Sequence, residues 1–375
     1  MRFLHLSDLH IGKVVKEFSM IEDQKYIFSQ ILKIVEKESI QGIFIAGDIY
    51  DKTMPTVESV ELFDYFLTML SKKDIPIFII SGNHDNVSRI SFGAELMKNN
   101  NVYIFKAFNG SLVPIKIEDE YGVIEIYGIP YIKPAEARPF FPDIKIENTN
   151  DAISAIIDNT DLNSNNRKII LAHQFVTGAV VTGHEDISVG GVDSIDYHLF
   201  DKFDYVALGH IHSSQKIGRD EVRYCGTPLK YSFSEIPDEK SVTMVEIDEE
   251  VKVSVIKLSP KRDIKKIKGS YEEITSLSFY QNFNLEDYFF VVLTDEEDIP
   301  DAMAKLRTIY KNIMTLQYDN TRTKNNQSFT NADSSVEKTP LQLFNSFYEM
   351  QNNCYMNEEQ EKIIKQIIDE IWGEH

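Results

Sequence analysis

Short apolar runs recur through the first two-thirds of the chain, each bounded by glycine or polar residues. They are Phe3–Leu6, Ile43–Ala46, Ile77–Ile80, Ile169–Ala172 and Tyr205–Leu208. Runs of this length, rich in Ile, Val and Phe, predict buried strands. Between them the apolar positions fall at helical spacing. Helices are predicted at about 22–38, 55–72 and 87–99, the second marked by Val57, Val60, Phe63, Phe66, Leu67 and Leu70 after Pro55. Strand–helix alternation over residues 1–260 predicts an α/β domain with helices on the sheet faces. Tyr121–Tyr131 and Val242–Ile256 read as strand without intervening helix. They predict a second sheet, and so an αββα sandwich.

Beyond residue 260 the pattern resets. Ile264–Lys268, Tyr288–Leu293, a helix at about 299–312 and Met314–Tyr318 predict a small separate α+β domain spanning 261–318. Residues 319–337 are polar, dominated by Asn, Thr, Ser and Lys, and read as a flexible linker. Residues 338–375 regain helical stripes. Leu341, Phe344, Phe347 and Tyr348 form one, and Ile363, Ile364, Ile367, Ile368 and Ile371 form another. An apolar face of that size beyond a polar linker points to a partner. The alternative is that these helices fold back on the α/β domain or on each other.

Composition narrows the classes. The 375 residues are 42% hydrophobic and 26% charged, as in a soluble globular protein. No apolar stretch reaches the 18 residues of a membrane span, and the N-terminus enters a strand without the pattern of a signal peptide. Cys225 and Cys354, far apart, make neither a disulfide framework nor a zinc pattern and fit a reducing cytoplasm. The net charge of −20 is unusual for a protein that would grip nucleic acid unaided. One basic cluster, Lys261–Lys268, holds five Lys or Arg in eight residues. It is either a phosphate-contacting patch or a solvated strand edge.

Candidate chemistry sits where the predicted strands end. The motifs are Asp8-x-His10, Gly47-Asp48-x-x-Asp51, Gly82-Asn83-His84-Asp85, His173 and Gly209-His210-x-His212. Asp48 follows a glycine that permits a tight turn, and one carboxylate can bridge two cations about 3.5–4 Å apart. Asn83 offers a neutral oxygen, and His173, His210 and His212 offer imidazole nitrogens. Such mixed ligands without thiolate suit Mn²⁺, Fe or Zn²⁺ better than Ca²⁺. A water shared by two such cations becomes a nucleophile toward phosphorus. His84, with Asp85 able to accept its other N–H, reads as a proton donor or transition-state clamp. Each motif alone is weak: Asp-x-His is common, and a histidine after an apolar run is more often core. Their order decides, because five of the nine histidines fall in these motifs. His5 reads as a strand residue, and His184, His198 and His375 as surface or loop residues.

The motif set resembles the calcineurin-like metallophosphoesterases and, within them, the SbcD nuclease subunits of bacterial SbcCD complexes. The narrower likeness rests on Glu125–Pro134 (EIYGIPYIKP), Ala172–Val176 (AHQFV), Phe203–His212 (FDYVALGHIH), Cys225–Glu235 (CGTPLKYSFSE) and Leu258–Gly269 (LSPKRDIKKIKG). It covers nearly the whole chain and is weakest over 280–340. The resemblance implies that Asp8, His10, Asp48 and His212 hold one metal, and Asp48, Asn83, His173 and His210 the other. It implies that His84 assists the chemistry with Asp85 behind it, and that the metals are Mn²⁺. It implies exonuclease and endonuclease action on DNA ends and hairpins in repair and recombination. Residues 261–318 become a capping domain, and the C-terminal helices dock on an SbcC-like SMC ATPase. Two such subunits pair through helices at about 55–72 and 87–99, as a homodimer within a heterotetramer. Asp51 departs from the histidine that archaeal and eukaryotic relatives carry there. Two other readings compete: a stand-alone phosphatase or cyclic-nucleotide phosphodiesterase, and a non-catalytic scaffold. The long striped tail disfavours the first, and the intact ligand set disfavours the second.

Overall fold

The computed structural model of the chain describes residues 1–181, 194–321, 323, 339–352 and 355–372. It divides into two units, Met1–Asp263 and Ile264–His375. In the first, strand β1 (Arg2–Leu6) is followed by helix α1 (Ile21–Lys37), β2 (Gly42–Ala46), α2 (Val57–Ser71), β3 (Ile77–Ile80) and β4 (Val102–Ile104). Then come β5 (Ile115–Asp119), β6 (Gly122–Ile129), α3 (Thr149–Asp158), β7 (Arg167–His173) and β8 (Tyr205–Gly209). β9 (Gln215–Ile217), β10 (Arg219–Tyr224), β11 (Ser241–Ile247) and β12 (Val251–Lys257) complete the unit.

These strands make two six-stranded sheets, ordered β12-β11-β1-β2-β3-β4 and β9-β10-β8-β7-β6-β5. β1, β2, β3 and β4 run parallel in the first, and β10, β8, β7 and β6 run parallel in the second. The expected sandwich is therefore present, with one difference. Val242–Ile256 does not join the second sheet. It forms β11 and β12, which pair antiparallel onto the edge of the first beside β1.

The sheets face one another across an apolar seam. Phe3, Phe44 and Phe78 from the first meet Ile126, Leu171, Tyr205 and Ala207 from the second. Phe3 stacks on Phe44 at 4.6 Å between ring centroids. The outer faces are covered too. On one side Phe28 of α1 stacks on Phe66 of α2 at 4.3 Å, both buried. On the other, Ile153 and Ile156 of α3 join Ile170, Val206 and Leu208 in one core. Strands covered on both faces read as continuous apolar runs, which is why these segments lack alternation.

The helix expected over 87–99 is broken into Val87–Ile90, Ala94–Met97 and a 3₁₀ turn at Lys98–Asn100. Gly93, at φ +72°, ends one turn and caps the next.

The second unit builds a three-stranded parallel sheet, β13 (Ile264–Gly269), β14 (Tyr288–Leu293) and β15 (Asn312–Tyr318). Its core holds Ile267, Phe289, Val291, Leu293, Leu306 and Tyr310. The expected helix at 299–312 shrinks to α4 (Ala302–Leu306), which opens on Asp301 in a left-handed conformation. Two helical turns, Tyr271–Ile274 and Leu277–Tyr280, were not expected. Most of the expected linker, residue 322 and 324–337, lies outside the described residues. Its first residues are tied down: Asp319 pairs with Lys268, and buried Asn320 donates to the Asp295 carbonyl. Helices α5 (Pro340–Asn352) and α6 (Glu358–Trp372) follow and touch each other. Leu343, Phe347, Ile363 and Ile367 are exposed on them, and the Ile371 side chain lies outside the described residues.

The basic cluster is largely paired within the chain. Arg262 donates to buried Asp23 at 3.0 Å, Lys265 lies 2.7 Å from Asp287, and Lys268 meets Asp319. Lys266 lies over the Phe290 ring. The strand-edge reading is the one this geometry favours. His5 is buried in β1, where Nδ1 meets the Tyr205 hydroxyl at 2.9 Å, and His198 is exposed. His184, Cys354 and His375 lie outside the described residues. No helix among the described residues is long and apolar enough to cross a membrane.

Candidate metal centre

Five parallel strands, β1, β2, β3, β7 and β8, end on the same edge of the sandwich and deliver the polar motifs there. The loops leave ordinary backbone space at the key residues. Asp8, His10, Asp48 and His210 have φ of +50°, +43°, +48° and +105°. Non-glycine residues adopt such angles only where their surroundings over-determine them. A ladder between two loops does so here. The Asp8 N–H donates to the Gly47 carbonyl at 3.0 Å, His10 to Asp48 at 2.9 Å and Ile11 to Ile49 at 2.9 Å. Buried Gln24 on α1 locks the first loop, donating to the His10 carbonyl at 2.8 Å and accepting from the Gly12 N–H at 3.0 Å. Two glycines allow the close approach. A Cβ on Gly82 would stand 2.2 Å from Asp48 Oδ1, and one on Gly209 would stand 1.9 Å from the Ala46 carbonyl oxygen.

All seven expected ligands are brought together. Asp8, His10 and His212 carry ligand atoms within 4.8 Å of one another, and so do Asp8, Asp48 and His173. His10 Nε2 faces His212 Nε2 at 3.2 Å. Asn83 Oδ1 lies 3.1 Å from His173 Nε2 and 3.0 Å from His210 Nδ1. Asp48 Oδ1 accepts the His84 N–H at 2.9 Å, while Oδ2 lies 3.3 Å from His173 Nε2 and 3.8 Å from His10 Nε2. One oxygen of Asp48 thus reaches both groups. Asp8 is anchored from behind by the His210 N–H at 3.0 Å.

Outer hydrogen bonds set the tautomers. His173 Nδ1–H donates to the Ala46 carbonyl at 2.8 Å, and His212 Nδ1–H donates to Glu235 Oε1 at 3.2 Å. Both rings therefore turn Nε2 inward, where its lone pair becomes available when a cation replaces the proton. Lone pairs and carboxylate oxygens facing each other at these distances fit two divalent cations held by mixed nitrogen and oxygen ligands.

Burial and charge move the acid–base equilibria strongly. Burial raises Asp8 to about 6. Burial also drives His10 well below the usual histidine range. At His173 burial pulls downward, yet the Asp48 charge, its hydrogen bond and the Asp8 charge lift the ring to about 9. Burial opposes ionisation of Asp48, but the charges around it and the His173 hydrogen bond hold it well below the usual carboxylate range.

The expected role of Asp85 needs correction. Its carboxylate accepts the N–H groups of Ile49, Tyr50 and Gly82 at 2.9–3.1 Å. It braces the two loops that carry Asp48 and Asn83. The His84 ring is oriented instead by the Asp51 carbonyl, 3.0 Å from Nδ1. His84, His10 and Asp48 also form a group able to share a cation. Sequence reasoning missed Glu235, Gln24 and the Lys13–Asp51 pair at 2.7 Å. The last places the Asp51 carboxylate 3.9 Å from His10 Nδ1, an atom with no hydrogen-bond partner among the described residues. No local spacing links Glu235 or Gln24 to the ligands they support.

The sequence model of the calcineurin-like phosphoesterase family matches residues 1–214. That of the type 5 capsule protein repressor C-terminal domain matches residues 260–352. The SbcD subunit of nuclease SbcCD from Staphylococcus epidermidis is 30% identical over 374 residues, 98% of this chain and 98% of that protein. Among solved structures, a dimetal phosphatase from Danio rerio aligns over 69% of this chain and 97% of its own, at 8% identity and TM-score 0.41. TT1561 of Thermus thermophilus aligns over 68% and 98%, at 13% identity and TM-score 0.38.

The raised His173 gives a pH dependence of definite sign. Its folded value of about 9 exceeds the ordinary 6.5, so its stabilisation is fully present below pH 6.5 and lost as pH rises through 9. Asp85, raised to about 7 by burial and the Asp48 charge, acts in the same direction. The Tm of EDTA-treated protein should therefore fall between pH 6.5 and 9. One proton contributes at most about 1.4 kcal/mol per pH unit. Saturating Mn²⁺ should flatten the fall, because cations replace the protons. Scanning calorimetry of both forms checks this, and a flat metal-free profile would contradict it.

Proposed function

The chain belongs to the calcineurin-like phosphoesterase family and, within it, to the SbcD nuclease subunits; from that premise we propose a Mn²⁺-dependent DNA nuclease that works with an SbcC-like SMC ATPase. The observation that carries the reading is the reach of Asp48 Oδ2 to both His10 and His173. Asp8, His10, Asp48 and His212 would hold one cation, and Asp48, Asn83, His173 and His210 the other. When bound, two such cations polarise a phosphodiester and lower the pKa of an attacking water. His84 keeps Nδ1–H on the Asp51 carbonyl and can deliver a proton from Nε2 to the leaving oxygen. Asp85 keeps the loops in register. The enzyme would act in the cytoplasm on double-strand ends and hairpins, in repair and recombination. Because the basic cluster is mostly paired, the positive field for DNA would come from the metals and from the partner.

Two surfaces support the assembly. Val57 on α2 and Phe92 and Leu96 beyond β3 are 75%, 82% and 75% exposed, which suits a homodimer contact. The apolar residues left open on α5 and α6 suit docking on the ATPase, giving a heterotetramer. The alternative, a stand-alone phosphatase or cyclic-nucleotide phosphodiesterase, leaves both surfaces without a use.

The chemistry and the surfaces can be tested separately. Digestion of linear DNA should stop in EDTA and return with Mn²⁺. Asp48→Asn should abolish it, because the cations lose their shared charge. His84→Gln should keep both metals but lower turnover by roughly 10²-fold or more. Hydrolysis of a phosphomonoester with no cleavage of DNA would favour the phosphatase reading, and loss of a metal equivalent in His84→Gln would make His84 a ligand. Deleting residues 338–375 should leave Mn²⁺-dependent cleavage intact and end co-purification with the ATPase; an unchanged pull-down would move that contact elsewhere. Phe92→Glu with Leu96→Glu should convert a dimer to a monomer in sedimentation without loss of metal, and an unaltered sedimentation coefficient would remove this face from the interface.

A further inference from the structure

Glu235 is a buried carboxylate that lies beyond the residues matching the phosphoesterase family and outside the expected ligand set. It sits in a 3₁₀ turn, Phe233–Glu235, on the connection from β10 to β11. Its side chain is wholly buried, and five donors converge on it. They are His212 Nδ1 at 3.2 Å, Thr227 Oγ1 at 3.1 Å, Ser232 Oγ at 3.0 Å, the Tyr231 N–H at 3.3 Å and Lys240 Nζ at 2.6 Å. Lys240 is nearly as buried and also donates to the His212 carbonyl at 3.0 Å, where the Thr227 N–H arrives at 3.0 Å as well. Ring and backbone of His212 are thus held by the same pair of opposite charges.

A buried ion pair contributes little net stability, since desolvation of both groups offsets most of their attraction. Apolar residues of similar size would serve the packing as well. What they could not do is accept the His212 Nδ1 proton. A carboxylate there fixes the tautomer, points Nε2 at the site and raises the basicity of the ligand. His173 has only a backbone carbonyl in the same position. We propose that Glu235, charge-balanced by Lys240, is the positioning residue that makes His212 a strong ligand and sets the affinity of the Asp8–His10–His212 metal site. The proposal rests on the two-metal reading above.

The test is a Mn²⁺ titration of the full-length protein by calorimetry, with metal content measured in parallel. Glu235→Gln removes the charge but keeps the shape, and Glu235→Gln with Lys240→Met removes both charges so that none is left buried alone. Glu125→Gln is the control. Glu125 is a comparably buried carboxylate whose partners, Tyr127, Ser164, Asn166 and Lys116, include no metal-site residue. In both Glu235 variants one of the two Mn²⁺ sites should weaken roughly 10- to 100-fold while the other is retained. The control should keep both. Two sites of wild-type affinity in the double variant would overturn the proposal. So would equal loss of both sites, or loss of folding, in the double variant, since a general structural role would then suffice. Wild-type protein that binds no Mn²⁺ would sink the metal reading itself, and this inference with it.

Discussion

Asp48 carries a negative charge inside the protein at the point where loops from both sheets meet. Its carbonyl accepts the His10 N–H, one carboxylate oxygen accepts the His84 N–H, and the other faces His173 from the opposite sheet. Its backbone is held in the left-handed region, which costs energy for a residue with a Cβ. Uncompensated buried charge is expensive. The surrounding imidazoles, and the cations they would hold, are what make the position tenable. The remaining ligands are arranged around that requirement.

The sandwich supplies the rigidity this demands. Phe3, Phe44, Phe78 and Tyr205 fill the seam between the sheets and set how the strand ends face one another. Parallel pairing then brings Asp8, Asp48 and Asn83 from one sheet to the edge where His173, His210 and His212 arrive from the other. The strained loops are cross-braced by residues outside the expected ligand set. Gln24 reaches in from α1, Asp85 ties the β2 loop to the β3 loop, and Glu235 reaches His212 from the β10–β11 connection. Loss of such a brace would displace ligands by fractions of an ångström, enough to matter for a metal site.

The acidic balance takes on a physical meaning against this background. Three of the five basic residues of the Lys261–Lys268 cluster, Arg262, Lys265 and Lys268, pair with Asp23, Asp287 and Asp319. That cluster is therefore largely neutralised within a chain whose net charge is already −20. Exposed apolar residues include Val57 and Val60 on α2, Phe92 and Leu96 in the turns after β3, and Leu343, Phe347, Ile363 and Ile367 on α5 and α6.

The motif-bearing strands, the helices α1 and α2 and the ligand motifs were legible in the sequence, because each depends on residues close together in the chain; β4, β5, β9 and β10 were not. Each apolar run ends at a glycine or polar residue, and the first expected metal ligand follows it within three residues. Other features needed the tertiary structure. Val242–Ile256 reads as strand from its own pattern, but only pairing decides which sheet it joins. The 87–99 and 299–312 segments look helical by spacing, yet Gly93 and the left-handed Asp301 reset the backbone there. Asp85 follows His84 directly and seemed its natural partner, but neighbouring residues in a tight turn point their side chains apart. The carboxylate found backbone donors on another loop, while the ring found the Asp51 carbonyl. Glu235 and His212 lie 23 residues apart, and no periodicity connects them. Local chemistry is written in the order of the residues. Which group stands behind which is decided by packing, because a hydrogen bond depends on distance in space and not on distance along the chain.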